Sequence, residues 1–347
     1  MKLKRIIASL VCVLMLTSCS AKSSTKDTSS QAVSDQSSAH ESSLMSESTS
    51  SASEESTPSA LEESSKTLSE GSEIIWTSTP EEKIYKSPHY LSAVLYCKDD
   101  NLVLYNDGAD IKTAPASITK LLTASVMLRY MDPDDVVTVG TEQYLVNEGS
   151  SVCYISIGNR LKVRDLLTGM LLNSGNDAAY TAAVCTARVA NPGKELGDRE
   201  AVEVFCTMMN ELAAEIGMNN SHFANPDGWD DNDQYVTAAD LVKLSIFALD
   251  NPVIREIVRT YQKYVVFESG ESITWTNTNA LLDPDSRYYC EEAIGMKTGT
   301  TDSAGCCLAA AFERKGKTYV SIVTGCYESD DRFELTKKFY TKITKLP

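Results

Sequence analysis

The residues that most restrict how this 347-residue chain can fold lie between Ala114 and Met131. Pro115 has a fixed φ and no N–H to leave unsatisfied, so it suits a first helical turn, and residues 118–131 contain neither glycine nor proline. The pattern predicts a helix that begins near Pro115. Ile118, Leu121, Leu122, Val126, Met127 and Leu128 spread around most of its circumference. A helix apolar on nearly every side has to be enclosed by other elements. Ser117 and Lys120 are the polar exceptions. Three positions apart, they share one face, with the amine in reach of the hydroxyl.

A serine hydroxyl is a poor nucleophile unless a base takes its proton, and a lysine serves as that base only when its pKa is pulled down. Burial does this, and so does a second cation nearby. Ser-x-x-Lys alone carries little information, because an amphipathic helix with a solvated lysine shows the same spacing. Ser23-Ser24-Thr25-Lys26 repeats it inside a low-complexity segment. Only further residues of the right type, in the right order along the chain, give the pair a meaning.

The N-terminus is basic, Met1-Lys2-Leu3-Lys4-Arg5, and leads into an apolar run over residues 6–16. That is the pattern of an export signal and too short for a spanning helix. Leu16-Thr17-Ser18-Cys19 also resembles the bacterial lipobox, which implies a signal over 1–18 and a lipid on Cys19, anchoring the protein to the outer face of the cytoplasmic membrane. Residues 20–82 turn to Ser, Thr, Ala and Glu, with 12 acidic and 3 basic side chains. So little apolar surface cannot offset the entropy of folding, and 19–82 is expected to be a lipid-anchored, disordered tether.

The remaining 265 residues, 83–347, carry 36 acidic and 26 basic side chains, which disfavours nucleic acid as a partner. Of ten cysteines, eight fall in this part. Export permits disulfides, but spacing does not give their pairing. With His40, His89 and His222 as the full set of histidines and no metal-ligand spacing around them, no metal or cofactor is expected. The lack of a Gly-x-Ser-x-Gly motif weakens a Ser-His-Asp reading.

Strand patterns at 92–97 and 102–105 form a hairpin ahead of the central helix, and a short strand is expected at 136–139. Helical patterns recur at 163–172, 177–189, 199–216, 238–249 and 252–260. The last third changes period, with strands expected at 263–268, 273–276, 294–300, 305–313 and 318–325, then a closing helix over 331–343. Strands at both ends with helices between them predict an α/β (α+β) domain. Its mainly antiparallel sheet is closed by N- and C-terminal strands, flanked by helices and interrupted by a helical lobe.

Two more short motifs fall at telling places. Ser174-Gly175-Asn176 lies in a helix-to-helix turn, and Lys297-Thr298-Gly299 on a late strand. Each alone reads as ordinary turn or strand-end chemistry. In this order with Ser117 and Lys120, they resemble the penicillin-recognising serine acyl-transferase superfamily. The Gly-centred triplet is similar to that of its D-alanyl-D-alanine carboxypeptidases, the low-molecular-mass penicillin-binding proteins. The likeness extends through His222-Phe223-Ala224-Asn225-Pro226-Asp227-Gly228, Asn277-Thr278-Asn279 and the residues after Gly299.

The resemblance implies a β-lactamase/transpeptidase-like fold and a peptidoglycan stem peptide ending in D-Ala-D-Ala as substrate, with β-lactams as inhibitors. It implies Ser117 as nucleophile, Lys120 as base and Ser174 as proton carrier. Asn176, Lys297, Thr298, Gly299 and Thr300 would bind substrate. Many relatives carry His where this chain has Thr300, which bears on substrate preference and deacylation. The rival readings are a β-lactamase, whose usual Asp is replaced by Gly175 and whose Glu-x-x-Leu-Asn motif is missing, an endopeptidase, and a non-catalytic wall-binding lipoprotein.

Overall fold

A computed structural model describes residues 90–346, together with Ile74 and Trp76. The signal, Cys19 and most of the acidic segment lie outside the described residues. Everything described belongs to one compact unit, Thr67–Pro347.

The chain enters through the hairpin β1 (Ser92–Cys97) and β2 (Leu102–Asp107), followed by a two-residue β3 (Lys112–Thr113). A 3₁₀ turn at Ala116–Thr119 leads into α1 (Lys120–Tyr130). Then come β4 (Val136–Thr138), a second 3₁₀ turn at Thr141–Leu145, β5 (Arg160–Lys162), α2 (Val163–Leu172), α3 (Asn176–Ala190) and α4 (Asp198–Glu215). β6 (Val236–Thr237), α5 (Ala238–Asp250) and α6 (Pro252–Arg259) complete the helical lobe. The chain ends in β7 (Gln262–Val266), β8 (Ser272–Thr276), β9 (Ala293–Thr301), β10 (Gly305–Arg314), β11 (Lys317–Cys326) and α7 (Ser329–Thr344).

The main sheet is antiparallel, in the order β2-β1-β11-β10-β9. N-terminal and C-terminal strands meet at the β1–β11 pair, as the sequence predicts. Both faces are covered. Val94 and Tyr96 join the core shared with the helical lobe, while Ala93 and Leu95 join the core beneath α7. Side chains alternate across a strand, so burial on both faces requires the nearly continuous apolar runs of β1 and β10 and, in β11, runs broken only by the buried Ser321 and Thr324. The turn between β10 and β11 places Lys315 and Gly316 at φ 51° and 75°. Two successive positive φ values match the sheet's twist in a two-residue hairpin.

Every α-helix expected after α1, and every expected strand of the last third, appears within two residues of its predicted ends. Two expectations change. The central helix begins with a 3₁₀ turn, because Ala116 is held at φ 48° and cannot continue an α-helix backwards. In addition, β7 and β8 stand apart from the main sheet as a two-stranded ribbon. Trp275 explains this: it is buried against Gly169 of α2, and its indole N–H donates to Cys153 O at 2.8 Å. A Cβ on Gly169 would lie 2.9 Å from the Trp275 ring, so the ribbon docks on α2 where a larger residue would block it.

Ile74 and Trp76, within the segment read as a tether, pack half-buried on the core, with the Trp76 ring 6.5 Å from that of Tyr96.

Candidate active site

The 3₁₀ turn carries Ser117 to the place where β9, an edge strand of the main sheet, meets the helical lobe. In a 3₁₀ turn residues three apart eclipse one another, so the predicted shared face survives the change of helix type. Lys120 is fully buried and its Nζ donates to Ser117 Oγ at 2.8 Å and to Asp227 O at 2.7 Å. Burial pulls the Lys120 ammonium down to about 8, while the negative charges of Asp227 and Asp177 oppose that shift. Lys297, also fully buried, is pushed well below the ordinary lysine range by burial first, then by the charges of Lys120 and Arg332. The charge of Lys120 thus contributes to the Lys297 shift, whereas burial alone lowers Lys120.

Backbone packing fixes the serine. Gly228, at φ 88°, lies so close that a Cβ on it would fall 1.8 Å from Ala116 O. A Cβ on Gly299 would fall 2.9 Å from the Ser117 nitrogen and 2.8 Å from the Ala116 Cβ. The Pro226-Asp227-Gly228 segment and β9 thus enclose the serine turn from two directions. Thr123 adds a hydrogen bond from its hydroxyl to Pro226 O at 2.6 Å. Ala116, Ser174 and Met296 all hold positive φ, at 48°, 59° and 95°. Each is, or directly precedes, a residue singled out by the motifs. Strain of this kind persists only where surrounding structure enforces it, and it concentrates at functional sites.

The turn between α2 and α3 is built around Asp177. Its carboxylate accepts from the N–H groups of Cys153 and Ile155 at 2.9 and 3.2 Å, which moulds the 150s loop against the turn. A Cβ on Gly175 would already lie 2.8 Å from the Cys153 Cβ, so the Asp common in β-lactamases at this position does not fit. Thr278 joins this turn to β9: its N–H donates to Leu172 O at 3.1 Å and its hydroxyl shares a 2.6 Å hydrogen bond with that of Thr298. Ser174 and Asn176 are buried, and among the described residues no hydrogen bond links the Ser174 hydroxyl to either lysine. Lys297 Nζ instead donates to Thr298 O at 2.9 Å.

Arg332 was not singled out by the sequence reading, since nothing in the local pattern of α7 distinguishes it from a surface arginine. It is 9% exposed, and its Nη1 donates to Gly299 O and Thr300 Oγ1, both at 3.0 Å. It sets a guanidinium at the Thr298–Thr300 end of the site, where the buried Lys297 amine also reaches Thr298 O. Thr300, the residue that departs from the histidine of many relatives, donates its hydroxyl to Gly299 O at 2.8 Å. Asp230, also missed, accepts from Thr301 Oγ1 and Ser303 N at 2.6 and 2.9 Å, holding the β9–β10 turn to the loop after Gly228.

A sheet closed from both termini, an inserted helical lobe and a serine hydroxyl held by a buried lysine define the class of penicillin-binding serine peptidases. The family profile of D-alanyl-D-alanine carboxypeptidases matches residues 85–327. The chain is 34% identical over 229 residues to the D-alanyl-D-alanine carboxypeptidase of Streptomyces sp. strain K15, covering 63% of this chain and 75% of that one. It is 29% identical to carboxypeptidase DacF of Bacillus subtilis and 32% identical to DacD of Escherichia coli, covering 70% and 65% of this chain. It spans 58% and 55% of those two relatives. The crystal structure of the Streptomyces K15 DD-transpeptidase superposes with a TM-score of 0.67 at 30% identity, over 74% of this chain and 98% of that one. The chain belongs to the D-alanyl-D-alanine carboxypeptidase family of serine-type peptidases.

Proposed function

We propose that this protein is an exported enzyme that removes the terminal D-alanine from peptidoglycan stem pentapeptides through an acyl-enzyme on Ser117, and that β-lactams inhibit it by acylating the same oxygen. The observation that carries the reading is the 2.8 Å contact between Ser117 Oγ and a fully buried Lys120 amine whose pKa falls to about 8. Roughly one Lys120 in ten is then neutral at pH 7, against a far smaller fraction for a lysine near 10.4.

The terminal carboxylate of the peptide docks against Lys297, Arg332 and the hydroxyls of Thr298 and Thr300. Its negative charge favours a protonated Lys297, and a charged Lys297 in turn favours neutral Lys120. Lys120 takes the Ser117 proton as Oγ attacks the carbonyl between the two D-alanines. The N–H groups of Ser117 and Thr300 receive the developing oxyanion, with Gly299 leaving room for substrate backbone beside them. Ser174 passes the proton to the departing amine and Asn176 holds the substrate amide. Water then hydrolyses the ester. An amine in place of water would give transfer, the activity named for the Streptomyces K15 structure.

The test is mass spectrometry of the full chain after exposure to a labelled penicillin, beside Ser117→Ala, with D-alanine release from a pentapeptide followed in parallel. Stable labelling of Ser117 together with D-alanine release is the expected result. Rapid drug turnover would instead indicate a β-lactamase, release of a larger fragment an endopeptidase, and no adduct with no release a wall-binding protein. We place the protein at the outer face of the cytoplasmic membrane through a lipid on Cys19. Cys19→Ser is expected to move it from the membrane fraction to the soluble one.

A further inference from the structure

Eight cysteines, all free thiols in this structure, fall within the described residues. Two face each other. In the β10–β11 ladder Cys306 pairs directly with Cys326, and both side chains enter the core beneath α7. Directly opposed residues of antiparallel strands have Cα atoms about 4.5–5.5 Å apart, inside the range of roughly 4.4–6.8 Å that a disulfide spans. The other thiols offer weaker geometry, and the nearest rival is Cys307, whose charge bears on Cys326 more than that of Cys306 does. Cys307 belongs to the opposite core and donates to Ala304 O. Cys97 pairs with Tyr319, seven residues along β11 from Cys326, or about 23 Å of strand. Cys290 closes a turn onto Ala293, which pairs with Phe312, six residues and about 20 Å along β10 from Cys306. Cys153, Cys185 and Cys206 lie in the helical lobe and its loops.

The pair also lies beside the candidate site. Cys306 pairs on its other side with Thr300 of β9, and the Thr300 hydroxyl is 3.8 Å from its sulfur. Thr300, Cys306 and Cys326 thus form a row across three strands, and the Arg332 guanidinium interacts with the thiols of Cys306, Cys307 and Cys326 as well as with Gly299 O and Thr300. Burial pushes the Cys326 thiol well above the ordinary range, and the Arg332 charge opposes only part of that.

We propose that Cys306 and Cys326 form a cross-strand disulfide between β10 and β11, and that its closure adjusts the row on which substrate carboxylate recognition depends. Cys306, 7% exposed against 1% for Cys326, is the entry point. Its thiolate attacks a small-molecule or protein disulfide and releases one thiol. Cys326 gives up its proton as its sulfur attacks the Cys306 sulfur of the mixed disulfide and releases the second. Two electrons and two protons pass to the oxidant, which leaves as two thiols. Drawing the sulfur toward β11 changes the 3.8 Å contact it makes with the Thr300 hydroxyl, whose proton goes to Gly299 O. The effect on substrate rests on the functional reading above, whereas the crosslink does not.

The experiment treats the native full chain with oxidised glutathione or with dithiothreitol, blocks remaining thiols with an alkylating reagent, and maps peptides by mass spectrometry. In parallel it measures KM for a D-alanyl-D-alanine peptide in both states. Expected are a Cys306–Cys326 crosslinked peptide about 2 Da lighter than the two reduced peptides combined, and a KM that changes severalfold and returns on reduction. In Cys326→Ala both responses are expected to vanish. Alkylation of both thiols after oxidant treatment, or a crosslink to another cysteine, overturns the pairing, and needs no variant that folds. A crosslink that leaves KM unchanged overturns its coupling to the site. Should the reduced chain cleave no peptide at all, the functional reading fails, while the crosslink is still decided by mass.

Discussion

A lysine cannot be both a base and an ordinary lysine, and burial is what sets Lys120 apart from one. On the proposed mechanism the neutral amine is the active form, and with burial pulling its pKa down to about 8, acylation by a labelled penicillin should accelerate as pH rises through that value. Asp227 sets the position of this limb. Its carboxylate is buried, Oδ2 has no hydrogen-bond partner among the described residues, and its negative charge acts on Lys120 against the effect of burial. Burial raises the Asp227 pKa, but any ionised Asp227 holds Lys120 higher than burial alone would. In Asp227→Asn the Lys120 pKa therefore falls, and the acylation limb should move to lower pH, whereas a merely structural lesion would lower the rate without moving it. Lys120→Arg keeps a cation that does not lose its proton near neutral pH, and should cost at least about 100-fold in acylation at every pH from 6 to 9. A Lys120→Arg protein that still acylates at near wild-type rates would remove Lys120 from the base role.

At the scale of elements, the decisive connection is one that neither helix propensity nor strand pattern reveals. Thr278 lies in the loop after β8, yet its N–H reaches the end of α2 and its hydroxyl reaches Thr298 on β9, so it spans the two halves of the site. Thr278→Val keeps the shape and removes the hydroxyl, leaving Thr298 Oγ1 without its partner. A loss of about 1 kcal/mol in urea unfolding is expected. A rise in KM for peptide, from a less constrained Thr298, should accompany it. Unchanged KM with the same loss of stability would confine Thr278 to a structural role. The elements themselves were largely legible, because α2 to α7 have clear ends and β9 to β11 are short, mostly apolar runs bounded by turn residues. Ser117 and Lys120 were singled out by their place on an apolar helix, and Ser174 and Lys297 only by the order of the three motifs and the family resemblance that order carries. Arg332 and Asp230 were not, since each acts through a tertiary hydrogen bond onto β9 or the turn beyond it, and sequence shows no period for that. The separation of the β7–β8 ribbon was hidden for a related reason. It depends on Trp275 finding the space above Gly169, a match between residues more than a hundred positions apart.

For the whole molecule, composition and packing disagree on where the folded unit starts. Composition puts the change at residue 83, where the acidic, serine-rich segment ends. Packing puts Ile74 and Trp76 against the core, and the unit that contains them runs from Thr67. An isolated pair of apolar side chains in a polar run scarcely alters a windowed composition, but burying part of an indole removes on the order of 100 Å² from water, worth about 1–3 kcal/mol. Its partner Tyr96 lies on β1, which joins β2 to β11 in the middle of the main sheet. The site, by contrast, lies at the β9 edge, two strands further across from β11. A chain beginning at residue 83 should therefore be less stable to urea than one beginning at residue 67, by about 1–3 kcal/mol. Their rates of acylation by penicillin should agree within about twofold, because a twofold change in rate is less than half a kcal/mol at the barrier. Trp76→Ala in the longer chain should reproduce most of the stability loss. Equal stability of the two chains would mean that the Trp76 contact contributes nothing to folding and that residue 83 is the true boundary. A large loss of acylation in the shorter chain would mean that the N-terminal segment reaches the site by a route other than the sheet.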